Sequence, residues 1–207
     1  MMVVQSSGGR LPDAFQEVEW VGTPASGSNP YIDTGIVANA TVFRAAAKYI
    51  QTATGDYYGL GARLGDGTTD QCCFFGFYNN NSEFAWRGWF YGPQAMRNQI
   101  HEADAIMRNG LQEITIDGTT RTYGKTGDFN GTLNFYVFCR NNDGSAYSGY
   151  GKGMRYYYLK MWLDDVLVRD YIPCYRKSDG EIGMYDFISN SFFTNAGSGT
   201  FEKGNDV

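Results

Sequence analysis

The chain has 207 residues, enough to bury roughly 70% of its unfolded surface around one core. It carries 17 basic and 22 acidic residues, a net charge of −5, with no Lys/Arg cluster, which argues against nucleic acid or an anionic membrane as partner. Sixteen Tyr, 14 Phe, 4 Trp and 27 Gly favour pleated, half-buried surfaces joined by turns and exclude a disordered chain; no apolar run approaches the ~18 residues of a membrane span.

In chain order, residues 1–9 (MMVVQSSGG) lack the basic start and apolar run of an export signal. Residues 1–10 read as a flexible arm, and 11–207 as a single β domain. Strands are expected over 15–22, 31–34, 42–51, 57–63, 72–78, 83–88, 100–108, 112–116, 119–123, 133–139, 155–163, 166–171, 183–186 and 192–194. Residues 98–107 form the best helical window, but their apolar residues fit neither period. Turn chemistry separates the strands: Gly65-Asp66-Gly67, Asn79-Asn80-Asn81, Asp117-Gly118, Asp143-Gly144 and Asp179-Gly180. Asp117-Gly118 is the strongest hairpin signal and Asp164-Asp165 the second. Alternation sends Tyr157, Leu159 and Met161 to one face and Tyr158, Lys160 and Trp162 to the other. Both faces are partly apolar, as suits a strand covered on its outer side by a loop or partner. Pro173 lacks a donor and is expected at an edge or a strand end, while Arg169 and Asp170 face opposite ways and need separate partners.

Three segments resemble one family. They are Leu11-Pro12-Asp13-Ala14-Phe15-Gln16-Glu17-Val18-Glu19-Trp20 with Tyr31-Ile32-Asp33-Thr34-Gly35; Leu167-Val168-Arg169-Asp170-Tyr171-Ile172-Pro173; and Gly183-Met184-Tyr185-Asp186 with Phe192-Phe193-Thr194-Asn195-Ala196-Gly197-Ser198-Gly199-Thr200-Phe201. Gln112-Glu113-Ile114-Thr115-Ile116-Asp117-Gly118 supports them. Together they resemble the concanavalin A-like, laminin-G-like jelly-roll domains of tailed-phage and prophage structural proteins and gut-bacterial surface proteins. The resemblance implies an all-β, two-sheet antiparallel sandwich and, often, glycan or host-surface binding; the expected function is a non-catalytic module that recognises a bacterial surface glycan or host receptor. It also implies other virion proteins as partners, with a homo-oligomer as a further option. The expected location is a virion made in the bacterial cytoplasm, or the bacterial surface. A capsid decoration or fibre/tail component with residues 1–10 as assembly arm is the alternative.

Chemistry-bearing residues are few. Glu17 and Glu19, two apart on an expected strand, would stand about 6.6–6.8 Å apart, within the roughly 5–9.5 Å of a glycosidase pair; a solvated edge face is the plainer reading. His101 is the only histidine, so a nucleophilic triad would have to use it; no Gly-x-Ser-x-Gly elbow is present, and a partly exposed strand or loop histidine is the simpler expectation. Cys72, Cys73, Cys139 and Cys174 form no CxxC pair and read as reduced thiols made in a cytosol. No metal or cofactor is required. Calcium at Asn141-Asn142-Asp143-Gly144 or Asp66/Asp70 competes with turn formation by the same side chains. The best binding candidates are aromatic. Residues 85–92 hold Trp86, Trp89, Phe90, Tyr91 and Arg87, and a strand hides only alternate residues. Tyr147 and Tyr150 stand in a Gly/Ser/Asn loop, as aromatics do in paratopes. Trp86, Trp89, Tyr91, Tyr147, Tyr150 and Asn142 are therefore the ligand-contact candidates, against core packing for Trp86 and end cover for the rest.

Overall fold

A computed structural model describes residues 11–55, 57–64, 71–78, 81–147 and 152–207, with the backbone alone for 71–75, 77, 78 and 81. The expected arm, and Tyr150, Asp66 and Asp70, lie outside the described residues. Among the described residues every regular element is a strand. In order these are β1 (Phe15–Glu17), β2 (Val21–Gly22), β3 (Ile32–Asn39), β4 (Val42–Gln51), β5 (Tyr57–Tyr58), β6 (Leu60–Arg63) and β7 (Gln71–Tyr78). There follow β8 (Asn81–Trp86), β9 (Trp89–Tyr91), β10 (Ile100–Arg108), β11 (Leu111–Ile116), β12 (Thr119–Tyr123), β13 (Asn130–Val137) and β14 (Arg140–Asn142). The last are β15 (Ser145–Ala146), β16 (Met154–Leu163), β17 (Val166–Arg176), β18 (Ile182–Asp186), β19 (Ser191–Phe193) and β20 (Glu202–Lys203).

The large sheet runs β12-β11-β10-β4-β16-β17-β18-β19, with β1 beside β17, and β2 and β20 beside β16. The facing layer holds β15-β14-β6-β13-β3 and β5-β7-β8-β9. All pairs are antiparallel except β6 with β14. Phe43 of β4 joins the layers: its ring lies 5.4 Å from Trp86 of β8, 5.6 Å from Phe135 of β13 and 5.9 Å from Phe129. Such edge-to-face pairs fill the core of this jelly-roll β-sandwich.

Strong local signals land where expected. Residues 42–51, 100–108 and 119–123 are strands to the residue. Asp117 and Gly118 have φ of 49° and 79°, and Asp164 and Asp165 have 47° and 64°, the two-residue hairpin geometry that matches strand twist. Asp164 carries its positive φ because its carboxylate accepts from Thr41 N (2.8 Å), Thr41 Oγ1 (2.6 Å) and Val42 N (3.0 Å), bonds that also hold its pKa below the usual carboxylate value.

Four expectations need correction. The strand over 15–22 breaks at Val18, because the chain leaves β17 and continues beside β16. Pro173 lies inside β17, not at its end. Pairing with β16 stops at Tyr171 and pairing with β1 starts at Cys174, so the missing donor falls in the gap between two successive neighbours. The strand over 133–139 ends earlier, at Val137, since Phe138 adopts φ 71°; its buried ring packs on Tyr156 (5.2 Å) and Phe201 (4.9 Å), which offsets the backbone strain. A bulge between Tyr156 and Tyr158 breaks the expected shared face of Tyr157, Leu159 and Met161: Tyr156 joins Leu159 and Met161 in the core in place of Tyr157.

Candidate functional site

The aromatic run folds into the β8–β9 hairpin, turned by Arg87 (φ 47°) and Gly88 (φ 129°). Pairing of Phe84 with Phe90 and of Ala85 with Trp89 sorts the rings. Phe84, Trp86 and Phe90 enter the core. Trp86 is fully buried and donates from its indole to Gly127 O (3.2 Å), so it is a core residue and not a ligand contact. Trp89 and Tyr91 face outward; Trp89 is half-buried and Tyr91 is 44% exposed.

Trp89 meets rings that are distant in sequence. The buried Arg140 guanidinium stands 4.4 Å from the Tyr58 ring, 4.7 Å from Tyr147 and 5.7 Å from Trp89. Tyr58 and Trp89 are themselves 5.3 Å apart. Tyr147 is held there because its N–H donates to Arg140 O (3.0 Å). Asn142, two residues on from Arg140, shares its face of β14. Its side-chain oxygen is buried without a hydrogen-bond partner among the described residues. The fold thus gathers Trp89, Tyr147 and Asn142 around Arg140, with Tyr91 two residues beyond Trp89. Arg140 and Tyr58 carry no sequence signal for this role; only the three-dimensional pairing of β14 with β6 brings them in.

The other candidates take local roles. Asn141 Nδ2 donates to Asn134 O, and Asn141 Oδ1 accepts from Gly144 N, so this amide builds the β14–β15 turn. Among the described residues no three His, Cys, Asp or Glu side chains converge as metal ligands. Glu17 ends β1 and Glu19 lies beyond it, so the two do not share a strand; Glu19 accepts from Asn205 N and Nδ2 (both 3.3 Å). His101 is 4% exposed, contrary to the expectation of partial exposure. Its Nδ1 meets Asp117 Oδ2 at 2.6 Å and its Nε2 meets Met96 O at 2.8 Å, so both ring nitrogens are engaged. Cys139 and Cys174 are buried thiols, and burial pushes Cys174 up to about 12.

The outer face of the large sheet holds a depression of about 270 Å³ lined by Ala46, Glu102, Asp104, Thr115, Gly118 and Tyr158. Arg44 clamps Asp104 through two bonds (2.9 and 2.6 Å) and lies over Trp162 at 4.6 Å. Burial first, then the charges of Glu102 and Asp104, push the Tyr158 hydroxyl up to about 12. Lys160 and Asp170, cross-strand partners on this face, form a buried pair at 3.1 Å.

The segments that carry the family resemblance meet at one corner. Asp33 Oδ1 accepts from Gly35 N and Asn134 Nδ2 (both 2.9 Å), shaping the bend at Gly35, φ 66°. Arg169 reaches Thr34 O of edge strand β3 (2.6 and 3.2 Å) and Asp186 (3.5 Å). Buried Asp186 accepts from Asp170 N (2.7 Å), Ile188 N, Ser189 N and Ser189 Oγ. Asn195 Oδ1 accepts from Tyr31 N and Gly197 N, and Asn195 Nδ2 donates to Gly199 O. These residues latch the two layers and cap the β3 edge.

No family model and no curated protein matches the chain. Among solved structures it is similar to the mouse laminin α1 chain, domains LG4-5, with TM-score 0.57 and 8% identity over 91% of this chain. The match spans 47% of that chain, about half its length. At that identity the likeness shows the fold: a laminin-G-like jelly roll.

Proposed function

We propose that the chain is a non-catalytic binding module of a phage or prophage virion that recognises a bacterial surface glycan or host receptor. The observation that carries this reading is the platform of Trp89 and Tyr147, gathered beside Arg140 from segments far apart in sequence, with Tyr91 two residues along β9 from Trp89. Aromatic rings fixed by packing suit stacking on the apolar face of a sugar. The virion assignment rests on the three sequence segments. The engaged ring nitrogens of His101 and the occupied carboxylate of Glu19 favour binding over hydrolysis. The test is a bacterial glycan array with the chain and its Trp89→Ala and Tyr147→Ala variants. Binding to at least one glycan, weakened about tenfold or more by either variant (~1.4 kcal/mol), is expected. A blank array, or binding indifferent to both variants, would remove this site.

A further inference from the structure

We propose that the outer face of the large sheet carries a second binding site, for one neutral sugar ring, in the depression between Tyr158 and the Glu102, Asp104 and Thr115 side chains. It shares no residue with the Arg140 platform and rests on the binding-module reading only in its choice of a saccharide.

The depression exists because two positions are small. Ala46 forms its floor between cross-strand partners Asp104 and Lys160, and Gly118 leaves one wall without a side chain. A volume of about 270 Å³ lies just below the roughly 300 Å³ at which drug-sized pockets begin, so it suits one ring and not a buried oligomer.

The charges decide the ligand class. Asp104 is neutralised by bidentate Arg44, Lys160 by Asp170, and Glu102 stands opposite Lys48 in the β4–β10 register. An incoming cation would compete with Arg44 for Asp104, and an anion would face two carboxylates. A neutral polyol meets neither cost. Ionised carboxylates offer about four lone-pair positions each, and Arg44 uses two on Asp104, so acceptors remain for sugar hydroxyls. Thr115 Oγ1, already paired with Thr120 Oγ1 (2.8 Å), adds a hydroxyl, and the Tyr158 ring supplies an apolar wall.

The walls are preorganised. Trp162 backs Arg44. Glu102 is tied to Asp117 in both directions, its N–H donating to Asp117 Oδ1 (2.9 Å) and its carbonyl accepting from Asp117 N (2.9 Å). Buried His101 holds the other oxygen of Asp117. The Asp104 side chain and the backbone under Glu102 are thus fixed before a ligand arrives.

The test is a titration of the full chain, followed by amide nitrogen–proton correlation spectra, with methyl glycosides of glucose, galactose, mannose and N-acetylglucosamine. At least one glycoside is expected to shift the amides of Ala46, Glu102, Asp104, Thr115, Gly118 and Tyr158 saturably in the millimolar range. Tyr158→Ala and Glu102→Gln should each weaken this at least tenfold, and Trp89→Ala should leave it unchanged. Glu102 is exposed, so its variant keeps the test valid should Tyr158→Ala fold poorly. Saturable shifts confined to Tyr58, Trp89 and Tyr147 would overturn the second site and leave the module reading standing. Tighter binding of methylammonium at the same amides would overturn the neutral-ligand assignment. Titrations that move no amide would overturn the site; the module reading falls only if the glycan array is blank as well.

Discussion

Replacing Asp186 by Ala removes the acceptor on which four donors converge: Asp170 N, Ile188 N, Ser189 N and Ser189 Oγ. These losses are unequal. Ile188 and Ser189 are exposed, so water replaces the carboxylate there. Asp170 is 1% exposed, and its N–H would be left unpaired at a cost of about 1–3 kcal/mol. Arg169, with 13% side-chain exposure, also loses its carboxylate, which adds the penalty of a buried charge. Breaking a buried pair from one side costs about 3–5 kcal/mol in all, a large part of the roughly 5–15 kcal/mol of a typical domain. Asp186→Asn keeps an oxygen for Asp170 N and should lose about half as much. Asp179→Ala serves as control, since its bidentate pair with Arg176 is on the surface and should not change stability measurably. Urea unfolding followed by tryptophan fluorescence reads all three, provided the m-value is unchanged. If Asp186→Ala lay within about 1 kcal/mol of the parent chain, the corner would not be the latch described.

Other consequences concern pH, close packing and the core. Burial holds Tyr158 and Tyr136 at about 12, above their ordinary 10.0, and Cys174 at about 12, above 9.0. The fold keeps these protons over a range where the unfolded chain has lost them, so stability is full below pH ~9 and falls as pH rises toward 12. A urea midpoint constant from pH 9 to 12 would contradict this. Gly197→Ala would put a methyl 2.4 Å from Asn29 O and should destabilise by about 1–3 kcal/mol, more than Gly110→Ala, where nothing lies within 4 Å and only positive φ is strained. Equal thermal midpoints for the two variants would refute the docking of the last turn on β3. Trp86→Ala should cost about 3–5 kcal/mol in urea unfolding while glycan binding by the folded fraction stays unchanged; weakened binding at full folding would return Trp86 to the ligand site.

Much of the sandwich was legible because its signals are local. The Asp-Gly and Asp-Asp turns announce their own geometry and mark the joins of β11 to β12 and of β16 to β17. What stayed hidden depends on non-local pairing. β9, β14, β15 and β20 have two or three residues each, too few for a period to show. The bulge that exchanges Tyr157 for Tyr156 answers to the register against β4. The site was half legible. Ring density in 85–92 marked Trp89 and Tyr91, but the turn at Arg87–Gly88 sends Trp86 inward, and Arg140 joins only when β14 lies beside β6. The segments that carry the family resemblance proved to shape a corner and an edge, so their residues speak for the fold and not for a ligand.

The most direct measurement is on the Trp89 indole, followed by amide nitrogen–proton spectra while oligosaccharides released from bacterial lipopolysaccharide and teichoic acid are added. The account predicts a saturable shift of the Trp89 indole N–H, with the Trp86 indole, bonded to Gly127 O inside the core, unmoved. A Trp89 signal that stays still while the chain demonstrably binds the glycan elsewhere would contradict the assignment of the Arg140 platform as its binding surface.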